Sequence, residues 1–162
     1  MRSLKYWWPA LIWAVVISTF STGAFTAENT IRIIIPVLHF FLPHASPETL
    51  QFLHHVIRKC AHVTEYCILS LLILRGICAG RKEIHLRWGL AVILIVAGYA
   101  SLDEFHQSFV PGRTAAVSDV VIDTCGGAAG QIIAWLWLLL RKDRGLRNQD
   151  KPAAVSRSTE MH

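Results

Sequence analysis

Apolar residues fall along this chain in long runs that break at a few charged or proline-rich points. Residues 6–22 form a first helix, and no charged side chain occurs from Trp7 through Ala27, a stretch long enough to cross a bilayer. Residues 28–43 are apolar but interrupted by Pro36, too short and too broken for a clean span, and read as an interfacial or re-entrant segment. Ser46-Pro47-Glu48 then looks like a helix start, with serine as cap and proline at the first helical position. That helix continues to about residue 77. A third begins near Leu86, is uncharged from Trp88 to Leu102, and meets Asp103-Glu104-Phe105-His106-Gln107. Val110-Pro111-Gly112-Arg113 reads as a loop, because Pro-Gly punctuates strongly. The fourth starts near Ser118, carries Asp119 and Asp123, and stays apolar to Leu140. The pattern predicts an all-α membrane protein with about four transmembrane helices plus the short interfacial or re-entrant segment. Residues 1–142 form a single transmembrane domain, and the basic, polar residues 143–162 a disordered cytoplasmic tail.

Composition agrees with that pattern. Of 162 residues, 53% are hydrophobic and 17% charged, and the mean hydropathy is +0.42, a balance that excludes a soluble globule of this size. The net charge of +5 does not imply nucleic acid, because the cations flank apolar runs as the positive-inside rule requires. Arg2 and Lys5, then Arg75, Arg81, Lys82 and Arg87, then Arg141, Lys142, Arg144 and Arg147 mark one side of the bilayer. Both termini are therefore expected in the cytoplasm, with the protein in the bacterial cytoplasmic (inner) membrane. Arg2 and Lys5 before an apolar stretch could also open a cleaved signal peptide, but the uncharged length and the Trp7-Trp8 pair favour an uncleaved, interface-anchored helix. The four cysteines, Cys60, Cys67, Cys78 and Cys125, lie in or at the ends of apolar segments without CxxC spacing and are expected to be buried thiols.

Candidate chemistry sits where charge enters the apolar runs. Ionisable groups inside a span are costly and mark functional sites by default. Arg58, His62 and Glu65 occupy i, i+4 and i+7, one stripe of a helix, with Lys59 beside them. Asp103 and Gln107 share a face, and Asp119, Asp123, Gly126 and Gly130 share another, the last two as a GxxxG pair that permits close helix contact. At 1.5 Å per residue from the basic ends, Arg58, Asp103 and Asp123 all come out about 24–27 Å up. Three helices thus bring polar groups to one depth, in the outer half. Glu65, Asp103, Glu104, Asp119 and Asp123 outnumber Arg58, Lys59 and Arg113. Such an acidic excess calls for protonated carboxyls, a charged His62 or His106, entering water or a bound cation.

These residues resemble the VanZ-like family of bacterial membrane proteins. The resemblance rests on Arg58-Lys59-x-Ala61-His62-x-x-Glu65-Tyr66, then on Asp103-Glu104-x-x-Gln107-x-x-Val110-Pro111-Gly112-Arg113, and on Asp119, Asp123 and Gly126 to Gly130, together covering about residues 50–135. One departure is Asp123, where the family commonly has Asn; here it adds to the acidic excess. The resemblance implies a multi-pass protein of the cell envelope in a family named for low-level resistance to the glycopeptide antibiotic teicoplanin.

Four functions remain open on these residues. In the favoured one, an outward-facing polar cluster binds or shields an anionic, lipid-linked or peptidoglycan-related envelope component, with Arg58, Lys59, Glu104, Gln107, Arg113, Asp119 and Asp123 as contacts. In the alternative, His62, Glu65 and Asp103 serve an acid/base or metal-dependent enzyme. No metal ligand set is assigned, although a divalent cation among the acids is conceivable. Proton translocation lacks an ionisable relay in the cytoplasmic halves of the last two helices. A purely structural cluster that fixes helix register is the last possibility.

Overall fold

The computed structural model describes residues 4–79, 81, 85–111 and 116–149, with side chains followed as far as Arg141. The described residues are helical almost throughout: α1 (Leu4–Phe20), a 3-10 turn (Gly23–Phe25), α2 (Ala27–Phe41), α3 (Pro47–Cys78), α4 (Leu86–Gln107) and α5 (Val117–Gln149). The last helix continues past the apolar run into the stretch read from sequence as a tail. Three helices are long and apolar enough to cross a membrane: α3, α4 and α5 over Val117–Arg141. A fourth span is formed if the pair α1 and α2, bent by 64° at the break between them, counts as one.

The local reasons for these elements are in the residues. Ser46 caps α3, its hydroxyl accepting from the Thr49 amide at 3.2 Å, and Pro47 takes the first helical position. Thr26 caps α2 in the same way through the Asn29 amide. At 17 residues α1 is about 26 Å long, short of a hydrocarbon core of about 30 Å. The elbow then redirects the chain into α2, a 15-residue helix with no buried residue. Its Ile33, Val37, Phe40 and Phe41 are all exposed, as suits a helix bathed in lipid.

Within residues 1–131, which form one of two compact units, α3 is the hub. It packs against α1, α2 and α4. Trp7 lies on Gly76, where a β-carbon would come 2.8 Å from the indole. Trp13 Nε1 donates to the Glu65 carbonyl at 2.9 Å, so α1 runs antiparallel to α3. On the other flank α5 runs parallel to α3 and touches its backbone. A β-carbon on Gly126 would sit 2.6 Å from the Val63 carbonyl oxygen, and one on Gly130 2.7 Å from that of Cys67. Gly127 meets Val96 of α4 just as closely. Below this contact, Gln131 Nε2 donates to Ser70 Oγ at 2.6 Å, and Ser70 Oγ to the Gly127 carbonyl at 2.7 Å. The GxxxG pair is thus spent inside the chain, holding α5 to α3.

The second unit begins at Ile132. Its apolar side chains Ile132, Ile133, Trp135, Leu136, Trp137, Leu139 and Leu140 are exposed, and the Arg141 guanidinium lies 3.8 Å over the Trp137 ring, a cation–π contact.

The cysteine expectation needs correcting. All four are free, but only Cys78 is buried, while Cys60 and Cys125 are exposed and Cys67 is intermediate. In a membrane bundle apolar neighbours do not imply the interior, because the solvent on the outer face is itself apolar.

The two kinds of glycine separate in a stability measurement. Gly126→Ala drives a methyl group onto the Val63 backbone and costs about 1–3 kcal/mol. A β-carbon at Gly98 meets nothing within 4 Å, so Gly98→Ala gains up to about 1 kcal/mol of helix propensity. Thermal unfolding in detergent should show a lower midpoint for the first and an unchanged or higher one for the second.

Candidate functional site

The close approach of α5 to α3 brings two polar stripes face to face. One turn before Gly126, Asp123 reaches the imidazole next to Val63: His62 Nδ1 lies 3.3 Å from Asp123 Oδ1. Asp123 is fully buried, and the contact is an ion-pair approach without the alignment of a hydrogen bond. The pairing differs from the one His62 and Glu65 suggested at i and i+3, because the carboxylate comes from another helix.

Around this pair lies a cavity of about 330 Å³, walled by His55, Arg58, Lys59 and His62 of α3, Asp119 and Asp123 of α5, and Gln107 at the end of α4. Six of the residues singled out from sequence, Arg58, Lys59, His62, Gln107, Asp119 and Asp123, thus meet at one place. Asp119 stands in the first turn of α5, where the helix dipole favours a carboxylate. Arg113 lies outside the described residues.

Asp103 and Glu104 stand behind the cavity rather than in its wall. Asp103 is buried with Ser21 and Gln107. Its Oδ2 accepts from Ser21 Oγ at 2.7 Å and from Gln107 Nε2 at 2.8 Å, and Gln107 Nε2 also reaches Ser21 Oγ at 3.3 Å. This small network ties the end of α1 to α4 and aims the Gln107 amide. Glu104 Oε2 accepts from the Ala116 amide at 2.9 Å, holding the entry to α5. The acids are therefore divided between separate partners, and the excess counted from sequence is not concentrated in one pocket.

Glu65 belongs elsewhere. It lines a second cavity, of about 230 Å³, between α3 and the α1–α2 elbow, and Arg58 and His62 line this one too. Arg58 is fixed at the seam by Thr30, whose hydroxyl accepts from Arg58 Nη1 at 3.2 Å and lies 3.1 Å from His54 Nε2. Ser21 and Thr30 were not found from sequence. A hydroxyl in an apolar run has no periodicity, and its role depends on which helix comes alongside.

Several buried polar atoms at this level lack a hydrogen-bond partner among the described residues: the Tyr66 hydroxyl, Glu104 Oε1, His62 Nδ1 and both Asp123 oxygens. Each group left unsatisfied in the interior costs about 1–3 kcal/mol. Among the described residues, no three His, Cys, Asp or Glu side chains are grouped to hold a metal ion.

Ser21→Ala removes the hydroxyl that donates to a buried carboxylate and should lower stability by about 1.5–3 kcal/mol. Ser21→Thr keeps the hydroxyl and should lose less. Chemical unfolding of the two variants beside the wild type checks this order.

No curated protein and no solved structure matches the chain. The VanZ/LLP1 family model matches residues 6–139, from the start of the first helix through the apolar run of the last. With most of its length matched and its helices apolar enough to span a bilayer, the chain belongs to the VanZ/LLP1 family of membrane proteins.

Proposed function

We propose that the protein binds the anionic headgroup of a lipid-linked component of the bacterial envelope in the polar cavity between α3 and α5, holding or shielding it at the outer face of the cytoplasmic membrane. The observation that carries this reading is the charge of the cavity wall. His62 and Asp123, 3.3 Å apart, offset one another as a pair. Arg58 and Lys59 stand in the same wall as Asp119, so two cationic side chains reach the cavity from adjacent positions of α3. Arginine offers a planar fork and lysine a mobile point charge, the combination suited to phosphate or carboxylate. The distribution of Lys and Arg supports the orientation, with both termini cytoplasmic and the cavity at the outer side.

Glycerol 3-phosphate is a suitable headgroup probe. It should raise the melting temperature of the detergent-purified protein saturably, glycerol should not, and added salt should weaken the effect. Lys59→Gln should weaken binding about tenfold, as expected for losing one charge-assisted contact. No stabilisation by glycerol 3-phosphate, or an unchanged affinity in Lys59→Gln, would sink this reading.

A second reading is favoured by the His62–Asp123 contact. A buried carboxylate 3.3 Å from Nδ1 stabilises an imidazolium electrostatically, and Nε2 would take or give a proton at the cavities the ring lines. On that reading the bound envelope component is hydrolysed or transferred, and His62→Gln abolishes turnover while headgroup binding persists. Incubation with a short-chain phosphatidylglycerol, followed by mass spectrometry, tests this: an unchanged lipid removes the enzymatic reading for that substrate.

A further inference from the structure

The two cavities meet at the same two side chains. Arg58 and His62 line the polar cavity and also the second one. The second differs in kind: most of its wall area is apolar, from Phe20, Phe25, Ile34, Ile57 and Ala61, while Ser21, Thr30 and Glu65 join Arg58 and His62 as its polar lining. Phe20, Phe25 and Ile57 remain 39%, 44% and 40% exposed, so the wall continues onto the surface that meets lipid. Thr30 lines this second cavity and accepts the Arg58 hydrogen bond, which sets the guanidinium at the junction of the two cavities.

We propose that the ligand is an amphiphile whose hydrocarbon chain lies in this second cavity, between α3 and the α1–α2 elbow, while its anionic head is held at Arg58 and Lys59. This rests on the headgroup reading above and adds a second subsite to it. The charge at the seam selects the occupant. A chain tethered to an anion brings its head to Arg58 when its tail fills the apolar wall, which neither a free ion nor an uncharged hydrocarbon does. The apolar part of this wall gains dispersion contacts from hydrocarbon. Tethering also raises the effective concentration of the head at its site. The elbow provides the route: α2 turns away from α1 by 64°, and the partly exposed Phe20, Phe25 and Ile57 line the way in from the bilayer.

The test compares ligands that share a head and differ in chain, on the purified full-length protein. Dihexanoyl phosphatidylglycerol, kept below its micellar concentration, should bind at least about tenfold more tightly than glycerol 3-phosphate, since each chain carries several buried methylene groups. Ala61→Trp, which fills the second cavity, should abolish that increment and leave glycerol 3-phosphate binding unchanged; Ile34→Trp on the facing wall should do the same. A wild-type measurement guards against misfolded variants: a phosphatidylglycerol with a diazirine at the chain end should crosslink to peptides containing Ile34 or Ile57. If glycerol 3-phosphate binds and the chain adds nothing, the headgroup reading stands and the chain subsite falls. If the increment survives both tryptophan variants, or crosslinks fall only elsewhere, the chain subsite is overturned. If neither ligand binds, both readings fall together.

Discussion

The arrangement depends on the contact of two helix backbones, α3 and α5, made possible by Gly126 and Gly130. Lipid tails are as apolar as leucine, so little hydrophobic force draws membrane helices together, and close packing with polar contacts must do so. Removing two β-carbons lets α5 settle on the carbonyls of Val63 and Cys67. Asp123 is then carried to His62 and Gln131 to Ser70. The polar contacts follow from the packing, in register above and below it.

The same packing explains how charge is tolerated here. Asp103 leans on Ser21 and Gln107, Glu104 on the Ala116 amide, and Asp123 on His62. These three acids thus have separate neighbours: Ser21 after α1, the Ala116 amide before α5, and His62 of α3. Lys59 and Asp119 are left in the wall of the cavity with Arg58, where a ligand could use them. Toward the opposite end the buried polar groups Ser70 and Gln131 are neutral and bonded to one another, which suits a support for the site better than a path through it.

Much of this was legible from residue pattern. The start of α3 was readable because Ser46-Pro47 is a strong local signal, and the GxxxG contact because small residues at i and i+4 have one structural use. Partner choice was not legible. Periodicity gives the face of a helix and not its neighbour, so His62 was matched with Glu65 on its own helix, and Ser21 and Thr30 went unseen. Cysteine burial was misjudged for a related reason: hydropathy reports apolar surroundings, and in a membrane both the core and the outside are apolar. The elbow after α1 was partly visible, as a span followed by a broken apolar segment, but α2 as a regular helix through Pro36 was not.

The His62–Asp123 contact also bears on how the chain is made. An aspartate within a membrane-spanning helix is costly to insert, and α5 carries Asp119 in its first turn and Asp123 one turn further on. Synthesis delivers α3, with Arg58 and His62, well before α5. The glycine face of α5 and the imidazole awaiting its aspartate therefore give the last helix a reason to leave the translocation machinery toward its own bundle rather than into lipid.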